Sequence, residues 1–286
     1  MNISVIIISF NGMEFIDNCL SSTIKSLEGT ESEIIIVDNA SSDGTIDLIK
    51  LKYPDAKLIE NDTNRGFAPA VNQGLEIAKK EFLFLLNQDT RIQNRAIVKL
   101  AEKMQTDDSI GTVGPKLIGF DGRLQKSCRK FPRYRDLFLE FTGLTTLFPE
   151  SKFFGGWKMG WFDHETECEV DQPMGAALMT RRSVIDRVGN FDENLKFFLN
   201  DVDFCRRVKE AGHRNIFYPD SIVEHFYGGS IRKAKPRMVI ESHRAMYRYQ
   251  KKYSRGIMGI PLLLFWGAVL LVSARIRALW HTIKKK

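Results

Sequence analysis

The chain has 286 residues, of which 43% are hydrophobic and 27% charged, a composition that is ordinary for a globular protein and excludes a disordered or fibrous one. The net charge of +7 conceals a basic tail, because residues 226–286 carry 14 Lys and Arg but one acidic residue, while the rest of the chain is mildly acidic. The four cysteines show no Cys-x-x-Cys pair and no zinc spacing, which favours buried, reduced thiols in a cytoplasmic protein.

The first part of the chain alternates between apolar runs and amphipathic segments. The apolar runs predict strands buried on both faces, and the segments between them follow helical spacing. This alternation indicates βαβ units and a mostly parallel sheet. The amino terminus enters a strand almost at once, which leaves no room for a signal peptide. In chain order we predict strand 3–8, helix 13–27, strand 33–38, helix 45–52, strand 57–60, helix 67–79, strand 82–86, helix 94–105 and strand 112–116.

The most informative of these strands, 82–86, stops abruptly at the polar sequence Asn-Gln-Asp-Thr. Ligands of α/β sheets collect beyond such strand ends. Because side chains along a strand alternate, Asn87 and Asp89 fall on the same side. Their oxygen atoms suit a divalent cation that holds a diphosphate. A polar turn after a core strand is the alternative.

Two further strands end in polar residues. Strand 33–38 ends on Asp38, which is positioned to accept a hydrogen bond from the base or ribose of a nucleotide, or else to cap the turn that follows. Strand 3–8 is followed by Ser9 and Asn11, which line the same sheet end. The strand ends together predict a nucleotide-binding crevice.

The second half of the chain carries an aromatic segment and one notable helix. Residues 128–168 are rich in Phe and Trp, which predicts a helical hairpin on the domain or a mobile cover that contacts a lipid-linked acceptor. The small-residue stretch 174–178 is expected to shape the acceptor side. An amphipathic helix then begins with Asp201 and Asp203 in its first turn, and Asn200 before them is a good N-cap residue.

The tail contains a basic segment followed by an apolar one. Residues 233–255 predict a basic helix able to lie on anionic headgroups. Residues 257–274 are uncharged, and as a helix they would measure about 27 Å, just short of a hydrocarbon core of ~30 Å. In-plane or re-entrant anchoring, a full span and a core helix are all compatible with this pattern, and Pro261 favours a kink.

Several motifs occur in an order that resembles the inverting glycosyltransferases of family 2, and within them the rhamnosyltransferase-like branch. The resemblance covers roughly residues 1–230 and implies the GT-A fold, with a nucleotide-sugar-binding half at about 1–116 and an acceptor half at about 117–230. Residues 231–286 would form a membrane-associating tail. The motifs are Ser-Val-Ile-Ile-Ile-Ser-Phe-Asn at 4–11, Ile-Val-Asp-Asn-Ala-Ser-Ser-Asp-Gly-Thr at 36–45, Asn-Arg-Gly-Phe-Ala at 64–68, Asn-Gln-Gly at 72–74, Leu-Leu-Asn-Gln-Asp-Thr at 85–90, Phe-Phe-Leu-Asn-Asp-Val-Asp-Phe-Cys-Arg-Arg at 197–207 and His-Phe-Tyr-Gly-Gly-Ser at 225–230.

The resemblance implies which residues hold the donor. Asp38 matches the Asp that contacts the pyrimidine ring, and the stretch around Arg65 matches the donor-binding loop, where a glycine allows close backbone approach and an arginine faces phosphate. We expect the tail-side Arg232 to reach the diphosphate. The full set of expected nucleotide-sugar-binding residues is Ser9, Asn11, Asp38, Asn64, Arg65, Gly66, Asn72 and Arg232.

The resemblance also implies a metal site and a catalytic base. Asp89 matches a ligand of Mg²⁺ or Mn²⁺, and His225 matches a further ligand, with a structural histidine as the alternative. The family usually has Asp-x-Asp at the first of these sites, where this chain has Asn87. Asp201 matches the catalytic base of a Glu-Asp pair whose Glu position is Asn200 here.

These expectations predict a metal-dependent inverting glycosyltransferase. From the resemblance we expect the transfer of a sugar, rhamnose from dTDP-rhamnose, onto a glycan on a polyprenyl diphosphate. We expect the enzyme at the cytoplasmic face of the inner membrane. Transfer of N-acetylglucosamine, galactofuranose or glucose is the enzymatic alternative, and a non-catalytic nucleotide-sugar-binding membrane subunit is another. Nucleic-acid binding through the basic tail is disfavoured by the tail's apolar content.

Overall fold

The computed structural model describes residues 1–226, 235–254, 261, 263–272 and 275. Each strand and helix predicted between residues 3 and 116 is present, with ends shifted by a few residues at most. The elements are β1 Asn2–Ser9, α1 Ile16–Ser26, β2 Glu31–Asp38, α2 Thr45–Lys52, β3 Lys57–Glu60, α3 Phe67–Ile77, β4 Phe82–Asn87, β5 Thr90–Ile92, α4 Ala96–Gln105, β6 Ile110–Ile118, β7 Leu124–Gln125, β8 Cys128–Arg129, α5 Tyr134–Phe141, α6 Leu144–Leu147, β9 Cys168–Val170, β10 Gln172–Pro173, β11 Ala177–Arg181, α7 Arg182–Val188, α8 Asn200–Glu210, β12 Arg214–His225 and α9 Lys235–Tyr253.

The main sheet has the strand order β3-β2-β1-β4-β11-β6-β12-β5. Strands β3, β2, β1 and β4 are parallel, β11 runs antiparallel to both of its neighbours, and β6 and β12 are again parallel to each other. The fold is therefore α/β with a mostly parallel sheet, as predicted. The antiparallel strand β11 and the long strand β12 were not predicted.

Side chains of the central strands alternate between two hydrophobic layers. From β4, Phe84 packs into one layer with helices α1 and α4, while Leu85 packs into the other with α3, α7 and α8. Strand β1 divides in the same way. Burial on both faces explains the continuous apolar runs in the sequence.

The four cysteines are free thiols, and the predicted burial of Cys19 and Cys205 is confirmed, while Cys168 is partly exposed. Burial raises the pKa of Cys19 to about 12 and also raises the pKa of Cys205, so neither thiol is reactive at neutral pH.

The aromatic segment 128–168 forms two short helices, α5 and α6, followed by irregular chain. The segment thus contains one helix of eight residues and one of four, and its contact with a lipid-linked acceptor stays a prediction. The structure packs α9 onto this region and onto α8, through a cluster with Tyr249 fully buried at its centre. Residues 263–272 are helical. Of the helices in the described part of the chain, none is both long and apolar enough to cross a membrane.

Candidate active site

The carboxyl ends of β2, β1 and β4 lie side by side at one edge of the sheet. The parallel register pairs Ser9 with Asp38, and Ile8 with Asn87. This alignment places the polar strand ends in one crevice, which is the position where α/β sheets bind ligands.

Asp38 is fully buried at the end of β2. Its Oδ1 accepts a hydrogen bond from the Ser41 backbone N–H at 2.7 Å, and its Oδ2 accepts one from the Ser41 hydroxyl at 2.6 Å. These contacts order the turn, which is the capping role that the sequence left open. The nucleotide contact of Asp38 stays a prediction.

Ser9 and Asn11 hold the neighbouring loop. The Ser9 hydroxyl donates to Gln88 Oε1 at 2.9 Å. Asn11 adopts a left-handed backbone with φ of 47°, and its side-chain oxygen accepts from the Ser42 N–H at 2.9 Å. The loop after β1 is thereby fixed to the turn after β2.

The side chain of Gln88 joins the ends of β1 and β4. Its Oε1 accepts from the Phe10 N–H at 3.0 Å as well as from Ser9, and its Nε2 donates to the Phe10 carbonyl at 2.9 Å. A Cβ atom at Gly12 would lie 2.0 Å from Gln88 Oε1, so a glycine is needed there for this contact to form. Gln88 carries no recognisable signal in the sequence, and the prediction passed over it.

In the predicted donor-binding loop, some residues are exposed to solvent and others hold the fold together. Asn64 and Arg65 are exposed, and the Asn64 side-chain oxygen accepts from the Gly66 N–H at 3.0 Å. Gly66 has φ of +100°, and a Cβ there would lie 2.9 Å from Lys196. Asn72 exchanges hydrogen bonds of 2.9 and 3.0 Å with the backbone of Phe191. The glycine thus serves a close backbone approach, while Asn72 tethers α3 to the loop before α8.

Asp89 and His225 meet beside the end of β4. Strand β12 pairs with β5 so that His225 is opposite Thr90, which places His225 Nε2 at 3.6 Å from Asp89 Oδ1. Both side chains are buried. Burial raises the pKa of Asp89 to about 6 and lowers that of His225 to about 4.

Gln125 fixes the tautomer of His225. Gln125 Nε2 donates to the His225 carbonyl, so its Oε1 faces His225 Nδ1 at 3.0 Å. Because an amide oxygen only accepts, Nδ1 carries the hydrogen and the Nε2 lone pair of the neutral ring points toward Asp89. Two acceptors that face each other in a buried site suit a cation between them.

The donor set therefore fits a divalent cation through two protein ligands, Asp89 and His225. Among the described residues, no group of three or more His, Cys, Asp or Glu side chains is arranged to hold a metal ion. A cation here would need further oxygen ligands to complete its coordination.

Asp201 lies at the start of α8, with its carboxylate held by β10 and the loop before β11. Its Oδ2 accepts from Gln172 Nε2 at 2.7 Å and from the Gly175 N–H at 2.9 Å. Burial of the carboxyl group raises its pKa above the ordinary value. A Cβ at Gly175 would lie 2.8 Å from the Asp201 Cβ, so only glycine allows this approach.

The loop that holds Asp201 also contacts the end of β4. The Asn87 N–H donates to the Ala176 carbonyl at 2.9 Å, one residue from the Gly175 N–H that binds Asp201. One backbone hydrogen bond, from Asn87 to Ala176, and one from the Gly175 N–H to the Asp201 carboxylate thus join the end of β4 to Asp201.

The other predicted residues of α8 have structural roles. Asp203 is fully buried and contacts Arg207 at 2.9 Å, Lys252 at 2.7 Å and the Tyr253 hydroxyl at 2.7 Å. Asn200 is not the N-cap, because Leu199 takes that position with φ of 61° and Asn200 Nδ2 donates to the Leu195 carbonyl instead. Arg232 lies outside the described residues.

A family model described as glycosyl transferase family 2 matches residues 4–163. The chain belongs to this family. It is therefore a glycosyltransferase, and the matched range includes the crevice residues Ser9, Asp38 and Asp89.

Two curated relatives extend the comparison. The N-acetylglucosaminyl-diphospho-decaprenol L-rhamnosyltransferase of Mycobacterium tuberculosis is 24% identical over 240 residues, which cover 80% of this chain and 78% of the relative. The poly-beta-1,6-N-acetyl-D-glucosamine synthase of Staphylococcus epidermidis is 35% identical over 113 residues, 39% of this chain and 27% of that one. The similarity to the synthase is thus confined to a portion of that longer protein.

Among solved structures, the mannosyltransferase PcManGT from Pyrobaculum calidifontis, in complex with GDP-Man and Mn²⁺, aligns with a TM-score of 0.58 and 18% identity. The alignment covers 96% of this chain and 75% of that one. This agreement confirms the GT-A fold of the present glycosyltransferase.

The structure thus offers the half-buried carboxylate of Asp201 and, beside the strand ends, the pair Asp89 and His225, whose chemistry fits a cation. Groups of these two kinds can act as a general base and can stabilise a departing diphosphate. Three glutamines that the sequence gave no reason to single out hold these residues: Gln88 contacts the loop after β1, Gln125 contacts His225, and Gln172 contacts Asp201.

Proposed function

We propose that this glycosyltransferase moves rhamnose from dTDP-rhamnose to a glycan on a polyprenyl diphosphate, with inversion at the anomeric carbon. The observation that carries the proposal is the joining of Asp201 to the Asp89 strand end through residues 175–176. This connection supports a bound sugar that has Asp201, as general base, on one side and the diphosphate site near Asp89 on the other. The choice of sugar and acceptor is supported by the likeness to the decaprenol-linked rhamnosyltransferase.

In the proposed reaction Asp201 accepts the proton of an acceptor hydroxyl while that oxygen attacks the anomeric carbon. The bond from this carbon to the diphosphate oxygen breaks, and its electron pair leaves with the nucleoside diphosphate. Because Asp201 acts as a base and no covalent sugar intermediate is formed, a single displacement inverts the configuration.

The chain's own residues prepare both ends of this step. Gln172 and the Gly175 N–H orient Asp201 and stabilise its ionised form. Asp38 and the loop fixed by Gln88 receive the nucleotide. Asp89 and His225 would hold a divalent cation, Mg²⁺ or Mn²⁺, which supplies positive charge to the leaving diphosphate.

A second candidate is transfer of N-acetylglucosamine or glucose in the synthesis of a surface polysaccharide. The identity of 35% with the poly-N-acetylglucosamine synthase favours it, since that likeness is higher although shorter than the first. A non-catalytic nucleotide-sugar-binding subunit would share the donor crevice and would lack turnover.

We place the enzyme at the cytoplasmic face of the plasma membrane, attached through the tail after residue 230. The basic charge of this tail and the uncharged run 257–274 support the attachment.

The test is release of nucleoside diphosphate from a panel of nucleotide sugars, with Mg²⁺ or Mn²⁺ and a membrane-lipid extract as acceptor. We expect turnover with dTDP-rhamnose, and a loss of at least about 100-fold in Asp201→Asn and in Asp89→Ala. Asp186→Asn and Asp55→Ala, which change exposed carboxylates, are the matched controls. Turnover with UDP-N-acetylglucosamine and no other donor would support the second candidate function instead. Nucleotide binding without turnover would support the non-catalytic subunit.

A further inference from the structure

The helical residues 263–272 present an apolar stripe to the outside. The segment is uncharged, and Leu264, Phe265, Leu271 and Val272 are each between 57% and 64% exposed. Their spacing, i, i+1, i+7 and i+8, places them on one face of the helix. A surface helix of a soluble protein carries polar residues on that face, so an apolar surrounding is expected to cover it.

The opposite side of the same segment is docked on the protein. Trp266 is buried and meets the ring of Phe138 edge-on, with a centroid distance of 6.4 Å. A Cβ at Gly267 would lie 2.8 Å from the Tyr247 ring, so this glycine sits directly against α9. Contacts with α5 and α9 therefore fix which face of the segment points outward.

The stripe has a counterpart in the aromatic segment 134–154. Phe138, with its ring against Trp266, is itself 50% exposed, and Leu147, Phe148 and Phe153 are between 51% and 70% exposed. The guanidinium group of Arg135 lies over the Phe153 ring, with its Cζ 4.9 Å from the ring centre. Such pairs are typical of side chains at a membrane–water interface.

The charge beside this surface indicates which partner covers it. Helix α9 carries six Lys and Arg residues and one glutamate between residues 235 and 254, and Arg244, Arg248 and Lys251 are exposed. A second copy of the chain would bring the same positive charge against this helix. An anionic bilayer would attract it, by about 1 kcal/mol for each basic residue near the lipid surface.

We propose that residues 134–154 and 263–272 form one lipid-binding surface that rests in the interface of an anionic bilayer, with α9 beside the headgroups. The inference deepens the proposed membrane attachment and rests on it, but it adds a lipid contact from within the catalytic body. It is independent of which sugar is transferred.

Binding to sedimented vesicles tests the proposal with the full chain. We expect binding to vesicles of phosphatidylglycerol and phosphatidylcholine in a 3:7 ratio, and weaker binding to phosphatidylcholine alone. Combining Phe148→Ser with Phe153→Ser should weaken binding about tenfold. Combining Arg244→Gln with Lys251→Gln should weaken binding to the anionic vesicles by a similar factor and leave binding to phosphatidylcholine unchanged. Leu51→Ser, which alters a side chain that is 82% exposed on α2, is the matched control and should bind as wild type does.

The outcomes separate the two proposals. If wild type binds vesicles and both double variants bind equally well, the shared surface is overturned, whereas attachment through the tail is still supported. Absence of wild-type binding would overturn both. A concentration-dependent dimer in gel filtration that Phe148→Ser with Phe153→Ser abolishes would show that a second copy covers the surface. If that variant fails to fold, Leu271→Ser combined with Val272→Ser, on the other half of the surface, gives the same test. Transfer to a soluble acceptor should be unchanged in every variant, which keeps failure of the catalytic proposal distinguishable.

Discussion

At the scale of single residues, the ionisation of Asp201 depends on opposing effects. Burial raises its pKa, whereas backbone hydrogen bonds, with that of the Gly175 N–H first among them, lower it. Gln172 Nε2 also donates to Oδ2 at 2.7 Å, and a hydrogen bond to a carboxylate favours the ionised form. The proposed mechanism requires the ionised form, so the rate should fall as the pH drops below this pKa. The pH at which the rate declines therefore reports how far the hydrogen bonds from Gln172 and Gly175 lower the pKa that burial raises.

We predict that Gln172→Leu moves the acid limb of the pH–rate profile to higher pH by about one unit, because a hydrogen bond to a charged group contributes about 1.5 kcal/mol. Gln172→Glu should move it further, since it puts a second carboxylate beside Oδ2. The pH dependence of kcat, with donor KM little changed, is the measurement. Gln105→Leu, at the exposed end of α4, is the control, and an unaltered profile in both Gln172 variants would contradict the positioning role.

A second residue-scale prediction concerns Gln125, which touches the proposed metal ligand His225. Removing the partner that fixes a histidine tautomer typically weakens metal binding 10- to 100-fold. Gln125→Leu should therefore weaken Mn²⁺ binding in the presence of dTDP by about that factor, as measured by titration calorimetry. Gln105→Leu again serves as control. Equal Mn²⁺ affinity in Gln125→Leu and wild type would remove Gln125 from the metal site.

At the scale of elements, the crevice depends on the contact between the loop after β1 and the end of β4. Gly12→Ala would place a methyl group on the Gln88 side-chain oxygen. Because that oxygen belongs to a movable side chain, Gln88 should shift and release Ser9 and Phe10 rather than unfold the domain. We predict that KM for the nucleotide sugar rises about tenfold with kcat much less affected, since a misplaced loop costs roughly one hydrogen bond of about 1.4 kcal/mol.

Steady-state kinetics with a fixed acceptor checks this prediction, and thermal unfolding reports the integrity of the fold. Gly29→Ala is the comparison, because a Cβ there would meet no atom within 4 Å while the φ of +75° strains an alanine, so it reports the effect of backbone strain without the contact with Gln88. A large loss of kcat in Gly12→Ala with normal donor KM would refute the loop's role in donor binding.

The elements themselves were largely predictable from sequence, because their strands are buried on both faces and leave continuous apolar runs such as 82–86. Strand β11 was missed because its short run, 177–181, contains Thr and Arg and reverses direction within the sheet. The approximate place of the crevice also followed from the strand ends. The glutamines that position Asp201 and His225 did not, since their partners are distant in sequence and a glutamine has no pattern of its own.

At the scale of the whole molecule, α9 belongs to the folded body although the sequence placed it in the tail after residue 230. Tyr249 is fully buried, and Arg206 lies 3.7 Å from the centre of the Tyr253 ring. The Tyr253 hydroxyl and Lys252 contact the buried Asp203 on α8. Helix α9 thus completes the environment of the helix that begins with Asp201.

We predict that loosening α9 weakens both stability and catalysis. Tyr249→Ala should lower the free energy of unfolding by about 3 kcal/mol or more, because it leaves a large cavity. Tyr253→Phe should lower it by about 1–2 kcal/mol, because it removes one hydrogen bond from a buried carboxylate. Urea denaturation of the full chain measures both values.

The same variants should reduce kcat under conditions where they remain folded, since α8 carries Asp201 at its first turn and a shift of the helix moves the base away from the acceptor. Donor affinity should fall less than kcat, because α9 contacts the loop before α8 through Arg248 and Lys252 and not the ends of β1, β2 and β4. A variant that loses donor affinity as strongly as kcat would show instead that α9 stabilises the domain as a whole. Loss of kcat alone would show that α9 sets the position of the proposed catalytic base.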